Sequence, residues 1–565
     1  MTEANNVGTE VQGSDETGSA GPHAAGPLGA VQAAKTSRSD VPPERHPAYE
    51  PDASRPAGAW GHNFHPGHLV MVDIPGTSLD AATAEFLRRH HVRAICLFRR
   101  NLGTEAEVRR LTSDLREVMG PHSLIGIDQE GGSVVRATFL PQAPAAMALG
   151  AVDDEALCEE VGATVARGLR SLGINWNFAP VLDVNNNPAN PVIAERSFGE
   201  DPDLVARLAA AWMRGSLREG VACCVKHFPG HGDTSVDSHH ALPTVDKSIA
   251  ELEALELRPF RALAHANGAT PAAPAVMTAH IVYPQIDPDH PATLSRPILT
   301  GLLRESIGYD GVVITDALFM KAIHDKYGHA LGAVMALQAG ADMPLAQGSL
   351  EEQAATVKAI EAAVHEGHLL PADVKRAEAR LVALAQAYPV APRDYDAAQR
   401  AADDAAMRAA WARGLTAFDC AGMRAQPPSR GAALRVVTQG SVDCDGVSEA
   451  GLPADRVEAL FASFDDVEFV RLDDLRGIDA ATFPDDKRVN ILVSNHRTRF
   501  GDGAASARPD LHVALWNPFQ LFDIAAPSLV SWGYADGALD AVQSWLEGRA
   551  DATGKSPVKL SPRTA

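Results

Sequence analysis

A (β/α)8 barrel followed by a smaller α/β sandwich is the fold class that the sequence predicts, and three observations predict it. Eight short apolar runs alternate with helical patterns between about residues 60 and 350. Several of those runs are continuously apolar, as expected of strands covered on both faces. Charged residues and histidines stand at the ends of five successive runs, where a barrel gathers its reactive groups. Periodicity by itself leaves a doubly wound open sheet as the alternative.

The strand-like runs are HLVMVDI (68–74), RAICLF (93–98), SLIGID (123–128), INWNFAPVLDV (174–184), VACCVKHF (221–228), AVMTAHIVY (275–283), GVVITDAL (311–318) and ADMPLA (341–346). Helical stretches such as LDAATAEFLRRHH, TEAEVRRLTSDLREVM and LVARLAAAWMRGSLREG lie between them. A helical stretch over about 350–415, broken at AYPVAPRDY, leads to a second unit. There LRVVTQ, VEFVRL, VNILVSN, LHVALWN and SLVSWG again alternate with helical patterns. The expected organisation is a disordered tail over 1–58, a barrel over 59–390, a helical linker over 391–415, a sandwich over 416–550 and a tail or surface strap over 551–565. Residues 1–58 are rich in Ala, Gly, Ser, Pro and acids, and bury too little apolar surface to offset the entropy of ordering.

With 565 residues the chain exceeds what one core usually supports. A formal net charge of −22 argues against nucleic acid or an anionic membrane as the main partner. No stretch approaches the ~20 apolar residues that span a bilayer, and the polar N-terminus is unlike a secretory signal. The six cysteines, Cys96, Cys158, Cys223, Cys224, Cys420 and Cys444, are scattered and form no C-x-x-C pair. Free thiols and a cytoplasmic location are the expectation.

The polar residues at strand ends carry the functional signal. Run three ends in Asp128 and continues through QEGGSVVR to Arg136; run four ends near Asp183 and leads to Arg196. Run five ends in Lys226-His227 and opens the loop FPGHGDTSVDSHHALP, which holds Asp237 and His239. Run six carries His280, and run seven delivers Asp316 after VVIT. Singly, each has a plain reading: a carboxylate closing a strand can be a helix N-cap, an arginine can pair with a surface acid, and Asp237-Ser238-His239 can be a turn. Five such ends in succession are more than a structural barrel needs. The loop histidines invite a metal reading, but the loop lacks H-E-x-x-H spacing and is broken by Pro229, Gly230 and Gly232, so no metal or other cofactor is expected.

These blocks resemble glycoside hydrolase family 3, and within it the β-N-acetylglucosaminidase branch. The resemblance covers about residues 65–390 through IDQEGGSVVR, NFAPVLDVNNNPANPVIAERSFG, KHFPGHGDTSVDSHHALP, VMTAHIVYPQID and GVVITDALFMKAI, in the family's order. Its most discriminating piece is K-H-F-P-G-H-G-D-T-x-x-D-S-H. The resemblance implies that Asp316 is the nucleophile, that Asp237 and His239 form the acid/base dyad, and that Asp128, Arg136, Arg196, Lys226 and His227 bind the terminal sugar. Ala317 stands where many single-domain members carry a second Asp, and RAICLF lacks a glycine pair often seen there. The second unit resembles the sandwich of two-domain members only weakly.

The chemistry suits these residue types. Retention needs a carboxylate beneath the anomeric carbon and a second group that protonates the leaving oxygen. A rigid strand can fix Asp316 for attack, with Lys226 expected nearby to keep it ionised. Histidine titrates near neutrality without heavy desolvation, and Asp237 can orient His239 as the acid of a Ser-His-Asp triad orients its imidazole. The implied activity is removal of terminal β-linked N-acetylglucosamine from amino-sugar glycosides, including cell-wall (muropeptide) fragments. Three rival readings are a phosphorylase using inorganic phosphate, a β-glucosidase or β-xylosidase, and an inactive carbohydrate-binding homologue.

Overall fold

The computed structural model describes residues 64–237, 242–443, 448 and 451–564. The expectation of a disordered tail over 1–58 and the position of His239 both lie outside the described residues.

Eight parallel strands close into a barrel: β1 (Met71–Val72), β2 (Ala94–Leu97), β3 (Leu124–Ile127), β4 (Trp176–Asn177), β5 (Ala222–Phe228), β6 (Ala275–Thr278), β7 (Val312–Ala317) and β8 (Met343–Leu345). They neighbour one another in chain order, and β8 returns to β1 through Met71 paired with Leu345. Each falls inside one of the eight apolar runs. Several of the runs are continuously apolar because one face fills the barrel and the other meets the helices. This closure settles the choice between barrel and open sheet.

The helices start and stop where their sequences say they should. Thr104 and Glu107 form a capping box before the helix Glu105–Met119, as Ser349 and Glu352 do before Leu350–His365. The helices Glu155–Ser171 and Pro202–Arg218 pack backbone to backbone. A Cβ on Gly162 would lie 2.0 Å from the Trp212 carbonyl, and one on Gly215 only 1.9 Å from that of Glu159.

After the helix Ala397–Gly414 the chain forms a six-stranded sheet with β9 (Thr416–Phe418), β10 (Leu434–Gln439), β11 (Val467–Leu472), β12 (Val489–Ser494), β13 (Leu511–Ala514) and β14 (Ser528–Val530). Its order is β9-β14-β13-β12-β10-β11, parallel except for β9 against β14. Apolar clusters cover both faces. Five of the six strands lie in the apolar runs; β9 is only three residues long and carries no pattern that announces it. The segment after residue 550 is a strap. Gly554 donates its N–H to Leu415 O at 2.9 Å, Lys555 to Ala151 O at 2.9 Å, and Pro557 O accepts from Glu200 N–H at 3.1 Å.

No helix among the described residues is long and apolar enough to cross a membrane. The five described cysteines are all free and buried.

Three histidines are buried in places that favour the neutral ring. His512 is 2.7 Å from Ser494 Oγ through Nε2, His496 packs on Phe500, and His231 lies beside His227. Burial lowers the pKa of His512 to about 3, and those of His496 and His231 to about 4, from an ordinary 6.5. The unfolded chain therefore binds more protons than the folded one between pH 6.5 and about 4. Stability is full above pH 6.5 and falls as pH drops through that window, by roughly 1.4 kcal/mol per pH unit for each ring. Urea midpoints measured from pH 7 to 4.5 should decline steadily; a flat profile would show that these rings are not held neutral.

Candidate active site

Asp128 directly follows β3, and the chain then doubles back in a small hairpin, Gln129–Gly131 against Val134–Val135. Gln129 Oε1 accepts the N–H groups of both Arg136 and Ala137 at 3.0 Å, which closes the hairpin and sets Arg136 beside Asp128. The Arg136 guanidinium is 3.9 Å from Asp128 Oδ2. The hairpin also carries Glu130 inward. Lys226, 2% exposed on β5, donates to Asp128 Oδ1 at 2.7 Å and to Glu130 Oε1 at 2.7 Å. Arg196 grips Glu130 bidentately, Nε to Oε2 at 2.9 Å and NH2 to Oε1 at 2.8 Å.

Two acids and two bases thus share one buried cluster. Burial alone would push the Glu130 carboxyl up, but Arg196 and Lys226 outweigh it and hold the group well below the usual carboxylate range. The same carboxylates raise Lys226 and Arg196 against the opposing effect of burial. Glu130, Lys226 and Arg196 stay ionised, and their contacts fix the directions of their side chains. Lys226, expected to serve Asp316, directs its hydrogen bonds to Asp128 and Glu130.

A second buried acid organises the root of the long loop after β5. Asp183, fully buried, accepts from the His227 ring Nδ1 at 2.6 Å, from His227 N–H at 3.2 Å and from His231 N–H at 2.7 Å. Burial opposes its charge, yet His227, His231 and the N–H donors bring its pKa down. With Nδ1–H committed to Asp183, His227 keeps Nε2 for a ligand. Asn190 Nδ2 ties down the next stretch through His231 O at 2.8 Å and Gly232 O at 3.0 Å. Asp237 is buried at the edge of the described loop, and Ser238 to Ala241 lie beyond it.

Asp316 stands at the end of β7, partly exposed, with Oδ1 accepting the N–H of Ala317 at 2.7 Å. Ala317 O in turn lies 3.0 Å from Nε2 of the fully buried His280, whose Nδ1 is 2.8 Å from Thr293 Oγ1. His280 therefore braces the backbone of β7 just past Asp316. Among the described residues no group of three or more His, Cys, Asp or Glu is placed to hold a metal ion.

The second sheet reaches this site through the loop that carries Arg196. Trp516, two residues past β13, donates its indole N–H to Glu195 Oε1 at 2.8 Å; Ser133 donates to the same oxygen at 2.6 Å. Arg497, past β12, donates to Val192 O at 2.5 Å, and Arg196 donates to that same carbonyl at 3.1 Å. Between them Ala194 takes φ 37°, a left-handed conformation costly to a residue with a Cβ and one that the surrounding bonds must enforce.

The structure brings Asp128, Arg136, Arg196, Lys226 and His227 to the mouth of the barrel with Asp316 and Asp237. Sequence reasoning missed Glu130, the hub of the cluster, although an acid two residues beyond Asp128 in a Gly-Gly turn was a usable signal. It noted Asp183 only as a strand end and did not assign it. Nothing in the sequence pointed to Glu195 meeting Trp516.

The family model for the glycosyl hydrolase family 3 N terminal domain matches residues 65–384, from the approach to β1 through the helices after β8. A β-hexosaminidase from Chromobacterium violaceum is 39% identical over 298 residues, which is 52% of this chain and 82% of that protein. Among solved structures, a glycoside hydrolase family 3 β-N-acetylglucosaminidase from Paenibacillus sp. str. FPU-7 superposes with a TM-score of 0.78 at 34% identity, over 88% of this chain and 98% of the other. A fungal multi-domain GH3 β-N-acetylglucosaminidase superposes with a TM-score of 0.79 at 28% identity, over 88% of this chain and 61% of its own. With the closed barrel and the clustered strand-end charges, these matches show that the chain belongs to glycosyl hydrolase family 3 and is a glycosidase.

Proposed function

We propose that this glycosidase is a retaining exo-β-N-acetylglucosaminidase that releases terminal β-linked N-acetylglucosamine from amino-sugar glycosides, among them cell-wall fragments. The observation that carries this reading is one partly exposed carboxylate, Asp316, at the end of β7, on the same face of the barrel as a fixed set of charged groups that follow β3, β4 and β5. The names of the similar proteins supply the acetamido sugar. Free, buried thiols accord with a reducing, cytoplasmic setting.

In this mechanism Asp128, Arg136, Arg196, Lys226 and His227 take the hydroxyls of the terminal sugar and set its anomeric carbon over Asp316. The Asp316 carboxylate attacks that carbon while His239, as imidazolium, gives its proton to the departing glycosidic oxygen. A covalent glycosyl-enzyme and a free alcohol result. Neutral His239 then takes a proton from water, whose oxygen displaces Asp316 and yields the sugar with its configuration retained. Asp237 orients and stabilises the imidazolium.

The deciding assay is turnover of p-nitrophenyl β-N-acetylglucosaminide beside the matching glucoside, in phosphate-free buffer and with phosphate added. Turnover of the acetamido sugar alone, indifferent to phosphate, is expected. A phosphate requirement would make the chain a phosphorylase, and preference for the glucoside would overturn the sugar assignment. Asp316→Ala should abolish nearly all turnover of this aryl glycoside. His239→Ala should retain slow turnover, because p-nitrophenolate leaves with little protonation, whereas proton transfer is otherwise worth ~10²–10⁴ in rate. Equal losses would count against these roles. Glu130→Gln, which unbalances a buried cluster of charges, should cost roughly 3–5 kcal/mol of stability and lower kcat/KM by more than about tenfold. An unchanged kcat/KM would remove the cluster from sugar binding.

A further inference from the structure

The motif K-H-F-P-G-H-G-D-T-x-x-D-S-H holds an acid, Asp233, that has no part in the mechanism. Its carboxylate meets Lys247, beyond the far end of the same loop, with Oδ2 2.6 Å from Nζ. Lys247 Nζ also donates to Oε1 of Glu256, the residue just before the helix Leu257–Leu263. The three side chains are 32%, 21% and 1% exposed in that order, so the charges lead from the loop surface into the interior. Asn186 Nδ2, from the loop after β4, donates to the same Glu256 oxygen at 2.9 Å. Glu256 Oε2 has no hydrogen-bond partner among the described residues.

The two limbs of that loop are fixed to the barrel separately. On the outgoing limb Tyr283 donates its hydroxyl to Gly230 O at 2.6 Å, and Asn190 Nδ2 reaches Gly232 O at 3.0 Å and Thr234 Oγ1 at 3.2 Å. Gly230, at φ 138°, lies against Glu256; a Cβ there would be 2.7 Å from the Glu256 Cβ. On the returning limb Val282 N–H donates to Pro243 O at 2.9 Å, and Val245 N–H to Val282 O at 2.9 Å. The ion pair of Asp233 with Lys247 crosses from one limb to the other. Residues 235–242, which include Asp237 and His239, must span the gap that this pair sets.

We propose that Asp233, Lys247 and Glu256 act as one positioning unit for the acid/base pair, holding the two limbs of its loop at the separation that proton transfer requires. The proposal rests on the reading of His239 and Asp237 as that pair. A buried carboxylate is costly unless a cation meets it, so Glu256 holds Lys247 in place. Burial disfavours the Lys247 charge, but Asp233 and Glu256 outweigh it and raise its pKa. Lys247 thus reaches Asp233 from a fixed position, without the freedom that makes most surface ion pairs weak. Proton transfer needs that precision, because donor and acceptor must meet at hydrogen-bond distance. A misplacement of ~1 Å can cost on the order of 10²-fold in rate. Asp316 is carried by β7, so its attack on the anomeric carbon is independent of the separation of the limbs.

The test separates proton transfer from the rest of the reaction by the choice of leaving group. kcat/KM reports formation of the glycosyl-enzyme, in which methanol needs a proton to depart and 2,4-dinitrophenolate does not. Asp233→Ala leaves Lys247 on Glu256, so the buried carboxylate keeps its cation. It should lower kcat/KM for methyl β-N-acetylglucosaminide about tenfold and leave the 2,4-dinitrophenyl glycoside within about twofold. Lys247→Met should give the same pattern, and Lys247→Arg, which keeps both contacts, should restore the methyl glycoside rate. Combining Asp233→Ala with Lys247→Met should be no worse than Lys247→Met alone. If Lys247→Met does not fold, Asp233→Ala decides. Equal losses on both glycosides, or no loss on either, would overturn the proposal. If the unsubstituted protein cleaves neither glycoside, the reading of the activity fails and takes the positioning unit with it. If His239→Ala separates the two glycosides and Asp233→Ala does not, the positioning unit alone fails.

Discussion

The bidentate contact between Glu130 and Arg196, with Lys226 bridging Glu130 to Asp128, is the constraint around which the rest of the catalytic face is arranged. Charged groups withdrawn from water are costly unless each is matched in geometry as well as in sign. Here the match needs three separate pieces of chain. The hairpin after β3 supplies the acids, β5 the lysine, and the loop after β4 the arginine. Moving any one by an ångström would leave a buried charge unpaired. The cluster therefore transmits its own demand for precision to the strand ends around it.

The Arg196 loop shows how that demand is met. Its path includes a left-handed alanine, and no regular strand or long helix holds it. Support comes from the second sheet instead, through Trp516 on Glu195 and Arg497 on Val192 O. The parallel sheet thus presents the C-terminal ends of its strands toward the barrel, the side on which such sheets usually hold ligands. In this chain two of those ends hold a neighbouring loop. This gives the second domain a mechanical share in the placement of Arg196.

The barrel was legible because burial on both faces leaves continuous apolar runs, and because reactive residues must follow such runs. Asp316 and Lys226-His227 could be placed on that ground alone. Glu130 was passed over because an acid next to a Gly-Gly turn looks like loop decoration until the turn is seen to fold inward. His280 was noted as polar at a strand end, but its work on the Ala317 carbonyl depends on a separation of 37 residues that no local pattern encodes. The contacts of Trp516 and Arg497 span more than 300 residues, and β9 is too short to carry periodicity. The residues at the strand ends obey a rule of the fold, whereas those that hold them in place are found only in three dimensions.

The strap over the barrel bears on the order in which the molecule is made. Pro557 closes against Glu200 and lies over Gly199, immediately beyond the loop that carries Arg196. Trp516 and Arg497 reach that loop from the same late part of the chain. A ribosome that has finished β8 has delivered every strand of the barrel and every charged residue of the cluster, yet none of the groups that hold the Arg196 loop from outside. On the ribosome the barrel can close well before its charged face is braced, and the Arg196 loop gains its outer supports only as the later residues of the sheet and strap emerge.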